Sequence, residues 1–253
     1  MRSIPVHLPA LPWRASFVVA AIALIGWGLL AWMAVDVDAP FARSTMPMSY
    51  RWTASNALSI TAMWATMMAA MMLPSSLPMV GAFAKTAGEG ATARTAAFVG
   101  AYLVTWAAFS LLAVAAQWML QRSGLLDPMM LRASPWPAAA LLLLAGLYQF
   151  TGLKRVCLAG CRSPVAFLVA RWRPGITGAW AMGMRHGALC VGCCWSLMTL
   201  LFVVGVMKLP WVVALAVAVS FEKVLPGGEQ LARVLGFVLI AAALASFLLH
   251  FAG

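Results

Sequence analysis

The run Ser16–Val35, SFVVAAIALIGWGLLAWMAV, holds 20 residues without a charge. At about 1.5 Å per residue, a helix of that length crosses the roughly 30 Å hydrocarbon core of a bilayer. It is longer than a signal-peptide core and no small-x-small cleavage site follows it, so it reads as a retained helix. Outward from it, apolar runs near Thr53–Ala84, Thr95–Gln121, Trp136–Leu153, Trp180–Met207, Trp211–Leu225 and Leu231–Phe251 predict further helices. The expected fold is all-α, a polytopic transmembrane bundle of about seven helices. The sixth run is short and ends on Glu222 and Lys223, so it either spans with two charges at its edge or re-enters.

Composition agrees: 64% of the 253 residues are hydrophobic and 9% charged, against roughly a quarter charged in soluble domains. So many spans leave little chain for anything else. Residues 1–253 therefore read as one integral membrane domain, with no fixed-period repeat or long linker.

The net charge of +11 does not point to nucleic acid, because the Lys and Arg residues are scattered between apolar runs instead of forming one stripe. They serve better as orientation signals for a chain whose partner is the lipid bilayer. Lys154, Arg155, Arg162, Arg171 and Arg173 crowd one loop, which the positive-inside rule assigns to the cytoplasm. Alternating outward from that loop puts 12 cationic residues inside and 5 outside, with a cytoplasmic amino terminus and, if the sixth run spans, an external carboxyl terminus. Trp13, Trp52, Trp136, Trp180 and Trp211 fall near the expected helix ends, where amphipathic rings favour the headgroup layer.

All five cysteines lie between positions 157 and 194. His186, Cys190, Cys193 and Cys194 step by 4, 3 and 1, which puts an imidazole and three sulfurs on one helical face at the start of the fifth run. Such donors suit Cu(I), Zn(II) or an iron–sulfur centre far better than Mg or Ca. Gly183, Gly187 and Gly192 on the same run would let a second helix approach closely. The plainer alternative is that buried cysteine acts as a small hydrophobe and His186 caps an interface.

Cys157 and Cys161 follow the fourth run among Lys154, Arg155 and Arg162, a setting suited to metal binding or thiol exchange, although a C-x-x-x-C pair is a weak signal alone. Met63, Met67 and Met71 repeat every four residues on the second run, with Met68 and Met72 beside them. Thioethers hold Cu(I), but methionine is equally an adaptable packing residue. Pro74 and Pro78 should kink that helix and free backbone carbonyls. Glu222 is either a solvated helix end or a buried ligand or proton acceptor. All these features fall toward the cytoplasmic side of the expected topology.

At four segments, Trp64–Met79 (WATMMAAMMLPSSLPM), Tyr148–Pro164 (YQFTGLKRVCLAGCRSP), Met184–Met198 (MRHGALCVGCCWSLM) and Phe221–Pro226 (FEKVLP), the chain resembles a bacterial family described as predicted metal-binding integral membrane proteins. The resemblance runs nearly the length of the chain. It implies a multi-pass protein of the bacterial inner membrane with a metal site involving Cys and His, and it carries no established reaction.

The leading expectation is a metal-handling protein, not an enzyme, that binds a soft ion, Cu(I) ahead of Zn. Its metal residues would be His186, Cys190, Cys193, Cys194, Cys157, Cys161, Met67, Met71, Met72 and Glu222, and its partner a metallochaperone or another membrane protein. Met46, Met48, Met129, Met130 and Met207 would offer weak first sites ahead of the thiolates. Two alternatives stay open: an intramembrane thiol–disulfide oxidoreductase, disfavoured by thiols that face the reducing cytoplasm, and a noncatalytic assembly subunit with structural zinc. No nucleotide-binding glycine loop, nucleophile elbow or suitably spaced acid pair is present.

Overall fold

The computed structural model describes residues 13–47, 51–127 and 131–252. In chain order the helices are α1 (Trp13–Val35), α2 (Pro40–Thr45), α3 (Ala54–Thr86), α4 (Ala91–Arg122), α5 (Pro135–Tyr148), α6 (Gly152–Arg162), α7 (Pro164–Arg171), α8 (Gly175–Thr199), α9 (Leu201–Val204), α10 (Leu209–Val224) and α11 (Gly228–Ala252). Among the described residues the extended pairing is a single bridge between Leu126 and Ala133. The all-α expectation holds. Met48, Met129 and Met130 lie outside the described residues.

Each of the seven apolar runs carries a helix, but not each is a full span. Among the described residues five helices are long and apolar enough to cross a membrane: Phe17–Val35, Ala54–Thr86, Ala91–Arg122, Gly175–Val204 and Gly228–Leu248. The fourth run departs from the expectation. α5 ends after 14 residues, and the chain turns by 65° into α6, so the two form one broken span at most. The turn has a local cause: the Thr151 hydroxyl accepts from the Lys154 backbone N–H, which starts a new helix. The sixth run forms α10, whose 16 residues reach about 24 Å, short of the hydrocarbon core.

α3 is the axis of the bundle, with 72% of its apolar window buried, against 28% for α1 and 17% for α11. Thr53 and Asn56 close its amino terminus in a reciprocal capping box. Pro74 and Pro78 lie inside the helix without interrupting it, and the Ser75 and Ser76 hydroxyls donate to the Met72 and Leu73 carbonyls. α1 and α4 flank α3, α8 packs on α4, and α11 packs on α5. The α4–α8 contact depends on missing side chains. A Cβ on Gly183 would run into the Phe98 carbonyl, and one on Gly187 would come within 2.6 Å of Thr105 Oγ1.

The outer faces remain apolar. Phe17, Leu24 and Ile25 on α1, and Val234, Phe237, Val238 and Leu248 on α11, are exposed. Isolated exposed hydrophobics are ordinary in soluble proteins, but whole helix faces of them match a hydrocarbon solvent.

Candidate metal centre

α8 begins at Gly175, five residues before the expected Trp180, so its cysteines sit further along the helix than their place near a helix start implied. Cys190 is about 22 Å from the first residue at 1.5 Å per residue. Arg185 remains exposed one residue before the buried His186.

The helical spacing does what it promised: His186, Cys190, Cys193 and Cys194 are all buried on α8. Their surroundings divide them. Cys190 Sγ lies 3.0 Å from the Tyr102 hydroxyl and 2.9 Å from Lys223 Nζ. Cys194 Sγ lies 3.8 Å from Met72 Sδ, and Cys193 Sγ lies 4.0 Å from Cys161 Sγ. Side-chain interactions link Cys190 to Cys161, Cys193 and Cys194. Four thiols and one thioether from α3, α6 and α8 therefore meet in one buried place.

They do not form a finished cage. Among the described residues, no group of three or more His, Cys, Asp or Glu side chains stands ready to hold a metal ion. The thiols are instead engaged with their own helix and with a cation. Cys193 and Cys194 donate to the Cys190 carbonyl at 3.1 and 2.8 Å. Lys223 Nζ sits beside them, bonded to Cys190 Sγ, to Ser75 Oγ at 3.1 Å and to Met72 Sδ at 3.8 Å. All five cysteines are free.

The other candidates stand around this group. Cys157 packs on the α8 backbone, where a Cβ at Gly192 would lie 2.7 Å from its sulfur; the glycine admits α6 at that point. The Gly192 carbonyl also accepts from the Tyr148 hydroxyl. His186 is held in an aromatic box, stacked on Tyr102 and Phe98 with Phe167 edge-on. Both of its ring nitrogens are buried without a hydrogen-bond partner. A buried polar pair left open is expensive unless something completes it. Met67 and Met71 are as buried as Met72, within the α3 core, but Met72 is the methionine that approaches the thiols.

Glu222 is buried, and its Oε2 binds Lys154 Nζ at 2.6 Å, both side chains being 1% exposed. It is neither a solvated helix end nor among the thiols. Its other oxygen, Oε1, has no partner. Lys154 and Lys223, counted from sequence among the cations on the cytoplasmic side, are both inside the bundle. Sequence reasoning missed Tyr102 and Ser75 altogether, and it used Lys223 only as an orientation charge at the edge of the sixth run. The signal that could have found them was polar residues on otherwise apolar helices, of which Tyr102 in α4 is the clearest.

In donor chemistry the group is soft, made of thiols and a thioether, and the Glu222 carboxylate nearby is paired with a lysine. That set fits a soft transition-metal ion and fits Mg or Ca poorly. No curated protein and no solved structure matches the chain. A family match does: residues 61–246 match PpoB2, described as a copper chaperone. That stretch holds the ten candidate metal residues from Met67 to Glu222, though not Met46 or Met48, and the chain belongs to this copper chaperone family.

Proposed function

We propose that the protein is a membrane-embedded copper carrier that binds Cu(I) through Cys190, Cys193 and Cys194, with Cys161 and Met72 completing or relaying the site. The observation that supports this most is the convergence of four thiols and a thioether from three helices inside a chain of the copper chaperone family. Cu(I) accepts two to four soft ligands with little demand on geometry, so a modest rotation of Cys193 and Cys194 away from the Cys190 carbonyl suffices to assemble a site. His186, one turn before Cys190 and with both nitrogens open, is a further ligand on the same face. Cys157 stands one helical turn from Cys161 and serves as a relay position. Glu222 acts through charge, as the partner of Lys154. The whole chain is one bundle of the bacterial inner membrane with its amino terminus in the cytoplasm, and it exchanges copper with a metallochaperone or another membrane protein.

The test is metal content. Protein purified anaerobically from copper-supplied cells should carry copper in stoichiometric amount, and Cys190→Ser, Cys193→Ser, Cys194→Ser combined should remove it. Copper content unchanged by the triple substitution would overturn the site, and stable zinc in place of copper would favour a structural role.

One distance favours a second reading. The Cys161 and Cys193 sulfurs at 4.0 Å need only a small approach to join as a disulfide. Mass spectrometry after mild oxidation should then find that crosslink, and a mixed disulfide with an external client would make thiol exchange the function.

A further inference from the structure

The assembled sulfurs already hold a cation, and it belongs to the chain. Lys223 Nζ contacts Cys190 Sγ, Met72 Sδ and Ser75 Oγ, so its positive charge sits among the soft donors. Next to it in sequence, Glu222 has a buried carboxylate oxygen, Oε1, with no partner, although its Oε2 is held by Lys154. A buried carboxylate oxygen left open this way is costly. Lys223 interacts electrostatically with Glu222 as well as with the thiols. One ammonium therefore interacts with both the thiols and the carboxylate, and its hydrogen bonds are made on the thiol side.

We propose that Lys223 is a placeholder cation: it fills the thiol site while copper is absent, and Cu(I) displaces it toward Glu222 Oε1. This rests on the reading of the thiols as a Cu(I) site. The exchange is balanced in charge at Cys190, since the ammonium leaves that sulfur as one Cu(I) arrives; Cys193 and Cys194 carry their protons as donors to the Cys190 carbonyl, and either of them that joins as a thiolate releases its proton to solvent, while the copper changes ligands without changing oxidation state. A divalent ion in the same place needs one more of these buried thiols to give up its proton. The same movement therefore favours a monovalent ion. It also accounts for the unfinished cage, because the space that a metal would take is filled.

The lysine acts as a tax on binding. Copper binds only to the fraction of molecules in which Lys223 has left, so removing the lysine raises the apparent affinity. Cu(I) would be titrated anaerobically into the purified protein against bicinchoninate, for the wild type, Lys223→Leu, Glu222→Gln and the double variant; leucine removes the ammonium without adding a sulfur ligand. Lys223→Leu should bind Cu(I) about tenfold more tightly and lose discrimination against Zn(II). Glu222→Gln should weaken Cu(I) about tenfold where Lys223 is present and have no effect where it is absent, a coupling that a double-mutant cycle isolates from any general loss of packing. Weaker binding by Lys223→Leu would make the lysine a permanent counter-charge and overturn the proposal. Equal weakening by Glu222→Gln in both backgrounds would overturn it too. Absence of stoichiometric copper in the wild type would instead refute the thiol site itself.

Discussion

At the residue scale, the buried charges were the least legible part of the sequence. The cysteines and His186 declared themselves by helical spacing, since a fixed period puts them on one face whatever surrounds them. Lys154 and Lys223 gave no such sign. A lysine at the end of an apolar run looks the same whether it snorkels to water or turns inward, and the partner of Lys154 lies 68 residues away. The Lys154–Glu222 pair supplies a direct test. Lys154→Met should leave the Glu222 carboxylate buried without its counter-charge and cost about 3–5 kcal/mol, seen as a lowered thermal midpoint in detergent. Replacing both, with Lys154→Met and Glu222→Leu, should recover most of that loss. A double variant as unstable as the single one would mean that the pair contributes packing and not charge balance.

At the scale of the elements, the apolar runs located every long helix but not its limits. Hydropathy marks where a helix is greasy, and α8 begins in a stretch, 175–179, where glycines and Thr177 dilute the apolar signal of Ile176. The break between α5 and α6 was equally hidden, because Tyr148–Leu153 continues the apolar run while the Thr151 cap redirects the backbone. The tight α4–α8 contact was legible in part, since Gly183 and Gly187 announced an approach without naming the partner, as Gly192 did for α6. Gly187→Val should push α8 off Thr105 and destabilise the bundle by about 1–3 kcal/mol. Gly28→Val on α1, where an added Cβ meets nothing within 4 Å, should not. The check is the temperature at which half of each purified variant stays monodisperse in size-exclusion chromatography; equal values for the two would show that α4 and α8 do not need the missing side chain.

At the scale of the whole molecule, burying two lysines weakens the charge count behind the orientation but does not reverse it: 12 inside less Lys154 and Lys223 leaves 10, against 5 outside. The positive-inside rule concerns cations that face water, so the corrected count is the relevant one. Five long apolar helices and exposed hydrophobic faces are compatible with insertion, and the sidedness is open to measurement. Ser123, exposed just beyond α4, falls on the outer side of the proposed topology, and Arg173, exposed between α7 and α8, on the inner side. The native cysteines are all buried, so a new surface thiol should dominate labelling by a membrane-impermeant maleimide. Ser123→Cys should label in cells whose inner membrane is intact, and Arg173→Cys only after that membrane is opened. The reverse pattern would invert the bundle and put the cysteines of the proposed copper site toward the other face of the membrane. Labelling of both positions from one side would mean that α5 with α6 does not carry the chain across, and that the broken span is a re-entrant elbow supporting the thiols from the side on which it starts.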